Sequence, residues 1–314
     1  MDTKNIAIRL EGGIGDHLLA NRFVHAIKNK YKNCNFSFFS DPSKSHSEKE
    51  INLLKINWPS IYNDNNCKLI QRKSNNFIVR SQFGEEVYNC HPLNISDEYI
   101  KLFNSADRYY NLCIDNLEWL YYDFDWKNYF YFFPTPEKTT NSFNYSNYIL
   151  THLYPRPDSD HNLEQGYVIQ LIKNLLNKGQ KIISICQSEH MHFYQKILDL
   201  NNDNFKLIDC SLSEVFELSS KCLAFIGVDS GLRYFPLHYG KPTYVFSKYC
   251  NNIFSPAPSH TLRWLIFEKY VIPMHFDINT VCSLIINSTL HPACSLFPVI
   301  GDKIENAIIQ RYYN

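Results

Sequence analysis

Apolar and polar positions along this chain follow two periods, and the switch from one to the other marks out the elements. Residues 5–10, NIAIRL, make a short, mostly apolar run of strand length, while DHLLANRFVHAIKNKY at 16–31 brings Leu18, Leu19, Phe23, Ala26 and Ile27 near one helical face. NFSFFSD at 35–41 then reads as a second strand. Strand, turn, helix, strand is the opening of a parallel α/β sheet with a right-handed crossover. From Asp41 to about Ser142 the pattern is weaker, with helical candidates at 47–56 and 96–106 and a strand candidate at 108–115. An aromatic segment, Trp119 to Phe133, leads to a polar stretch around Pro134 and Pro136 that reads as an element followed by a linker.

Beyond that stretch the alternation is regular. Strands are predicted at 148–154, 181–186, 205–210, 222–228 and 242–247, separated by helices at 163–179, 190–200, 212–221 and 231–240. Gly179 and Gly240 stand where helix C-caps belong, and residues 302–314 read as a final helix. Two domains are expected, 1–145 and 146–314, each a doubly wound α/β sheet, with the final helix able to pack back on the first.

Composition narrows the class of partner. The 314 residues carry 31 basic and 31 acidic side chains, giving zero formal charge, so no nucleic-acid partner is expected. The ten cysteines form no C-x-x-C pair, and the N-terminus lacks the basic and apolar parts of a secretory signal. Reduced thiols in a cytoplasm are the expectation. No apolar run is long enough to span a bilayer, which leaves at most peripheral membrane contact.

Half of the ten glycines sit in two clusters, Gly12-Gly13-Gly15 and Gly227 with Gly231. Each follows a predicted strand, where open α/β sheets bind ligands and where glycine lets a backbone approach one closely. The first cluster is neither G-x-G-x-x-G nor a Walker loop. Asp16, in the first turn of the following helix, suits either a helix cap or a base aimed at a ligand. In the second cluster, Asp229-Ser230-Gly231 is either a plain turn and N-cap or a ligand turn. In the ligand reading the amides of Ser230, Gly231 and Leu232 meet an anion while Asp229 meets a sugar or ribose hydroxyl, because an acid would repel a bare phosphate.

These two stretches, GGIGDHLLANRFVHAIKNKY and LSEVFELSSKCLAFIGVDSGLRYFPLHYGKPTYVFS, resemble the heptosyltransferase family of glycosyltransferases, the ADP-heptose enzymes of lipopolysaccharide core synthesis. The resemblance covers the first forty residues and roughly 165–248. It implies a GT-B fold, two Rossmann-like domains with the active site in the cleft between them, and transfer that inverts the anomeric carbon without a metal or other cofactor. It further implies that Asp16 is the general base on the acceptor hydroxyl, with Gly12, Gly13, Gly15 and His17 shaping the acceptor turn. The donor nucleotide-sugar then falls to Asp229, Ser230, Gly231, Leu232 and Arg233, with Ser247 and Lys248 at the end of the next strand and Arg156 as a further phosphate contact. The acceptor is a glycan, glycolipid or protein.

The chain departs from the family in two places. Tyr234 stands where members commonly carry histidine, and the loop at 151–166 has Arg156 and His161 where members tend to carry lysine. A GDP- or UDP-sugar donor and a non-catalytic nucleotide- or glycan-binding relative are the alternatives. The D-x-D triplets at Asp123–Asp125 and Asp158–Asp160 and the group Cys186, His190, His192 lack the convergent ligands and paired spacing of metal sites. No serine sits in a G-x-S-x-G elbow, which argues against a hydrolase of that design.

Overall fold

The computed structural model describes residues 3–10, 13–40, 47–69, 105–112, 134–138, 142–154, 159, 161–247 and 270–290. The helix candidate at 96–106 (all but its last two residues), the aromatic run, the first D-x-D triplet, the final helix, Gly12, Arg156 and Lys248 lie outside the described residues. The chain divides into two compact units, Met1–Thr139 and Thr140–Asn314.

In the first unit β1 (Lys4–Leu10), α1 (Ile14–Lys30), β2 (Cys34–Ser40), α2 (Ser47–Asn57), β3 (Cys67–Leu69) and β4 (Arg108–Leu112) follow in chain order. The strands form one sheet in the order β3-β2-β1-β4, parallel at every pairing. β1 is buried from Ile6 to Leu10, as an inner parallel strand covered on both faces must be. The predicted apolar face of α1 is buried at Leu18, Phe23, Ala26 and Ile27, and so are the polar residues His17, Asn21 and Arg22. α1 is therefore covered on more than one side, and Tyr62 Oη donates to Asn21 Oδ1 at 2.8 Å to satisfy part of that polarity.

The second unit contains β5 (Tyr148–His152), α3 (Gln165–Asn177), β6 (Lys181–Ile185), a 3-10 helix (Ser188–Tyr194) running into α4 (Gln195–Leu198), β7 (Phe205–Ile208), α5 (Leu212–Lys221) and β8 (Ala224–Val228). A second 3-10 turn (Gly231–Arg233), α6 (Tyr234–Leu237), β9 (Thr243–Ser247), β10 (Tyr270–Pro273) and α7 (Ile278–Leu290) complete it. Its six parallel strands are ordered β10-β9-β8-β5-β6-β7. Numbered within the unit and read from the β7 edge, that is 3-2-1-4-5-6, the doubly wound Rossmann order. α3 packs Val168, Leu171, Ile172, Leu175 and Leu176 into the core, each worth about 2 kcal/mol of burial.

Two expected helices are shorter and tighter than predicted. Over 190–200 the buried positions include His190 and Phe193, then Tyr194 and Ile197. That spacing of three is the 3-10 period, in which residues i and i+3 eclipse. At 231–240 a three-residue 3-10 turn gives way to one α-turn from Tyr234, placing Pro236 in a first turn, where its missing N–H costs no bond. Gly179 and Gly240 have φ of 75° and 64°, the left-handed C-cap geometry expected of them.

Glu217 on α5 is a buried carboxylate with a structural task. It accepts from the backbone N–H of Ser142 (2.8 Å) and Phe143 (2.6 Å) and from Lys221 Nζ (2.7 Å), fastening the start of the second unit to its core. Among the described residues no helix is long and apolar enough to cross a membrane.

Candidate active site

Open parallel sheets bind ligands beyond the carboxyl ends of the strands, where the strand order reverses. In the first unit that switch lies between β1 and β4, and the glycine turn leaves the carboxyl end of β1. Gly13 is the N-cap of α1, with φ −87° and ψ −170°. Glycine has no side chain to cap with, so the bond runs the other way. Asp16, at the third helical position, accepts the Gly13 N–H through Oδ2 at 2.7 Å, the returning half of a capping box.

Asp16 therefore does cap the helix; the residue is half-buried, and its second carboxyl oxygen, Oδ1, is itself buried. The capping and ligand readings are compatible, since one oxygen suffices for the cap. A Cβ at Gly13 would lie 3.9 Å from Asp16 Oδ2, an ordinary contact, and φ is negative, so the protein itself makes no steric demand for glycine there. Gly15 is buried in the first turn. His17 is 1% exposed, with Nδ1 3.1 Å from Gly13 O. Burial lowers its pKa to about 4, so the ring is neutral at physiological pH.

In the second unit the switch lies between β8 and β5. Here His152, the last residue of β5, pairs in register with Gly227 of β8. Its Nδ1 lies 2.9 Å from Ser230 Oγ, tying the turn after β8 to the neighbouring strand. Desolvation lowers the His152 pKa to about 4, keeping the ring neutral. Gly227 is sterically required: a Cβ would come within 2.6 Å of the Phe225 ring and 3.2 Å of His152 O.

Asp229 and Arg233 form an ion pair four residues apart, with the guanidinium side chain 2% exposed and the carboxylate 17%. The guanidinium also donates to the Tyr234 hydroxyl and lies over that ring, 4.5 Å from its centroid. His161 Nδ1 is 3.9 Å from the other carboxylate oxygen of Asp229. Arg233 thus cancels the charge of an acid that would otherwise repel an anion at the turn. Ser230, Gly231 and Leu232 are partly exposed beside this neutralised pair, and Ser247 is buried at the end of β9.

His152 and the Asp229–Arg233 pairing escape a sequence reading. A histidine ending a buried strand carries no local mark, and an arginine four residues after an acid is equally at home on a surface. Cys186, His190 and His192 do not gather: among the described residues no three His, Cys, Asp or Glu side chains converge as a metal would require.

No protein-family model matches the chain, and no curated protein is significantly similar in sequence. Solved structures are similar in fold. E. coli heptosyltransferase WaaC with ADP aligns at a TM-score of 0.51 and 12% identity over 90% of this chain and 99% of its own. The fold is that of the GT-B glycosyltransferases. E. coli ADP-heptose lps heptosyltransferase II aligns at 0.52 and 11% identity over 91% of this chain and 98% of its own. A glycosyl transferase family 9 structure from Veillonella parvula DSM 2008 aligns at 0.50 and 11% over 78% and 80%. The structural likeness to WaaC and heptosyltransferase II extends over both units, well past the two stretches that carry the sequence resemblance.

Proposed function

We propose that the protein is a glycosyltransferase that moves a sugar, heptose from ADP-heptose, to a hydroxyl acceptor of a glycan, glycolipid or protein. The observation that carries this reading is the position of the two turns. Each leaves the carboxyl end of a strand at the switch point of a parallel sheet, one carrying an acid suited to an acceptor hydroxyl and the other a backbone turn suited to an anion.

On the acceptor side Asp16 is the general base. Its carboxyl is oriented by the Gly13 N–H, and Gly13 leaves room for a sugar to come close. As the acceptor oxygen attacks the anomeric carbon, its proton passes to Asp16, the glycosidic bond to the diphosphate breaks on the opposite face, and configuration inverts. On the donor side the Ser230–Leu232 backbone meets the diphosphate as it gains charge. Arg233 neutralises Asp229, which with His161 is left to meet hydroxyls of the donor. The reaction needs no metal, and lipopolysaccharide assembly in the cytoplasm is the setting the family resemblance implies.

ADP release from ADP-heptose, measured with an acceptor panel and with and without EDTA, tests this. The Asp16→Asn variant keeps an oxygen for the Gly13 N–H, so it should fold and bind donor as before. Turnover should fall by about a hundredfold or more, the scale of a lost general base. Undiminished turnover would leave Asp16 a helix cap alone, and loss of wild-type activity in EDTA would overturn the metal-free mechanism.

A further inference from the structure

The amino ends of β5, β6 and β7 border a cavity of about 250 Å³ in the second unit. It lies at the end of the sheet away from the turn after β8. Tyr148 on its wall begins β5, whereas His152, which holds that turn, ends the same strand about 13 Å further along. Sites for drug-sized ligands run from about 300 to 1,000 Å³, so this one suits a single small molecule.

Strand register brings the polar groups together there. Tyr148 pairs with Lys181, and Ile183 with Lys206. Alternation puts Lys181 and Ile183 on one face of β6, so both lysines stand on the same side of the sheet at one cavity. Asp203 is the one acid among the lining residues, and among the described residues neither lysine has it or any other carboxylate within ion-pair distance. The amides of Asn144 and Asn204 also line the cavity, and their side chains make no hydrogen bond among the described residues.

Lys206 is held in position. Its Nζ lies 4.5 Å from the centroid of the Tyr145 ring, a cation–π contact. Tyr145 in turn stacks on Phe143 with centroids 5.7 Å apart and meets Tyr148 edge-on at 6.4 Å. Phe143 is fixed through its backbone, its N–H donating to Glu217 and its carbonyl accepting from Lys221, and Tyr148 Oη donates to Leu218 O at 2.6 Å. The wall is therefore built in advance of any ligand.

We infer that this cavity is a second binding site, for an anionic sugar: one saccharide unit carrying a phosphate or a carboxylate. The two ammonium groups meet the oxyanion, while Asn144, Asn204 and Asp203 meet hydroxyls, Asp203 as acceptor only. A metal cation would face two lysines, and a neutral sugar would leave them without a counter-charge. The site lies beyond reach of the turn after β8, so it holds its ligand without reacting it, and it does not depend on the reading of Asp16 as base.

Isoleucine δ1-methyl NMR of the full chain tests this, because Ile182 and Ile183 line the cavity and Ile226, near the end of β8, does not. The probes are glucose 6-phosphate, methyl glucuronide, glucose and inorganic phosphate. At least one of the two charged sugars should shift Ile182 and Ile183 saturably and leave Ile226 in place. The tighter of the two tells a free sugar phosphate from an acidic unit of a glycan chain. Glucose and phosphate should each bind about tenfold or more weakly than that sugar, and Lys181→Met and Lys206→Met should each weaken it by about tenfold or more, the scale of one charge-assisted hydrogen bond. The melting temperature of each variant reports its fold, and Lys206→Arg, which keeps the charge and the ring contact, should retain binding. Methyls that neither charged sugar moves, or shifts that survive in both methionine variants, overturn the site. Inorganic phosphate binding as tightly as the sugar phosphate would make it an adventitious ion only, which overturns the sugar assignment.

Discussion

The Asp229–Arg233 pair makes a quantitative prediction that separates the stability of the proposed donor turn from its chemistry. Asp229→Ala leaves a guanidinium that is 2% exposed without its carboxylate. Breaking a buried pair from one side costs about 3–5 kcal/mol. The 17% exposure of Asp229 admits some water, which brings the expected loss to about 2–4 kcal/mol. For a unit of this size each kcal/mol moves the melting temperature by about 2–4 °C, so a fall of about 5–15 °C is expected. Arg233→Met should cost less, about 1–2 kcal/mol, because the abandoned carboxylate is the more exposed partner and His161 lies 3.9 Å away. The double variant Asp229→Ala/Arg233→Met should recover most of the loss, with a coupling energy of about 2–3 kcal/mol. Urea and thermal unfolding of the four proteins measure the cycle. Additive single effects, with coupling within about 0.5 kcal/mol of zero, would refute the claim that the two charges cancel at the turn. The folded double variant should still bind nucleotide-sugar poorly, showing that the pair acts on the ligand as well as on the fold.

Three further outcomes are expected. Gly13→Ala should change stability by about 1 kcal/mol or less, the difference between glycine and alanine at an N-cap, while reducing donor turnover sharply; unchanged turnover would mean that no ligand approaches Gly13. Glu217→Ala should lower stability by about 3 kcal/mol, since it strands two backbone N–H groups and a lysine, and an effect below about 0.5 kcal/mol in urea unfolding would contradict the fastening role. His17 and His152 have folded pKa values near 4 against 6.5 unfolded, so below pH 6.5 the unfolded chain binds more protons and stability falls as pH drops toward 4. Glu50, near 7 folded against 4.5 unfolded, acts oppositely, losing stability as pH rises from 4.5 to 7. At up to about 3 kcal/mol each, these two histidines, together with His25, whose pKa is likewise lowered to about 4, outweigh the one acid, so urea midpoints should be lower at pH 5 than at pH 6.5, and Glu50→Leu should widen the difference. Equal midpoints would count against neutral buried histidines.

Much of this architecture is legible along the chain because its signals are local. Buried parallel strands are apolar runs of five or so residues, and the glycines that end α3 and follow α6 announce positive φ. Strand order is a different matter. That β5 lies between β8 and β6, bringing His152 to Ser230 across 78 positions of sequence, follows from long-range pairing that no local pattern encodes. β3 and β10 have only three and four residues, too few for a period to emerge. The candidate site is marked in the sequence by its glycines and by Asp16, Asp229 and Arg233, which occupy turns of characteristic composition. The pairing of Arg233 with Asp229 is not, since a base on a helix looks the same in sequence whether it faces water or a core.

The central claim is that this fold holds a nucleotide-sugar, and ligand-induced stabilisation tests it most directly. A ligand that binds only the native state raises its melting temperature, by about 2.7 kcal/mol of stability at a hundred times its Kd. The melting temperature should rise with ADP, less or not at all with GDP, UDP and dTDP, and equally with and without EDTA. A protein whose melting temperature none of the four nucleotides moves would contradict the account.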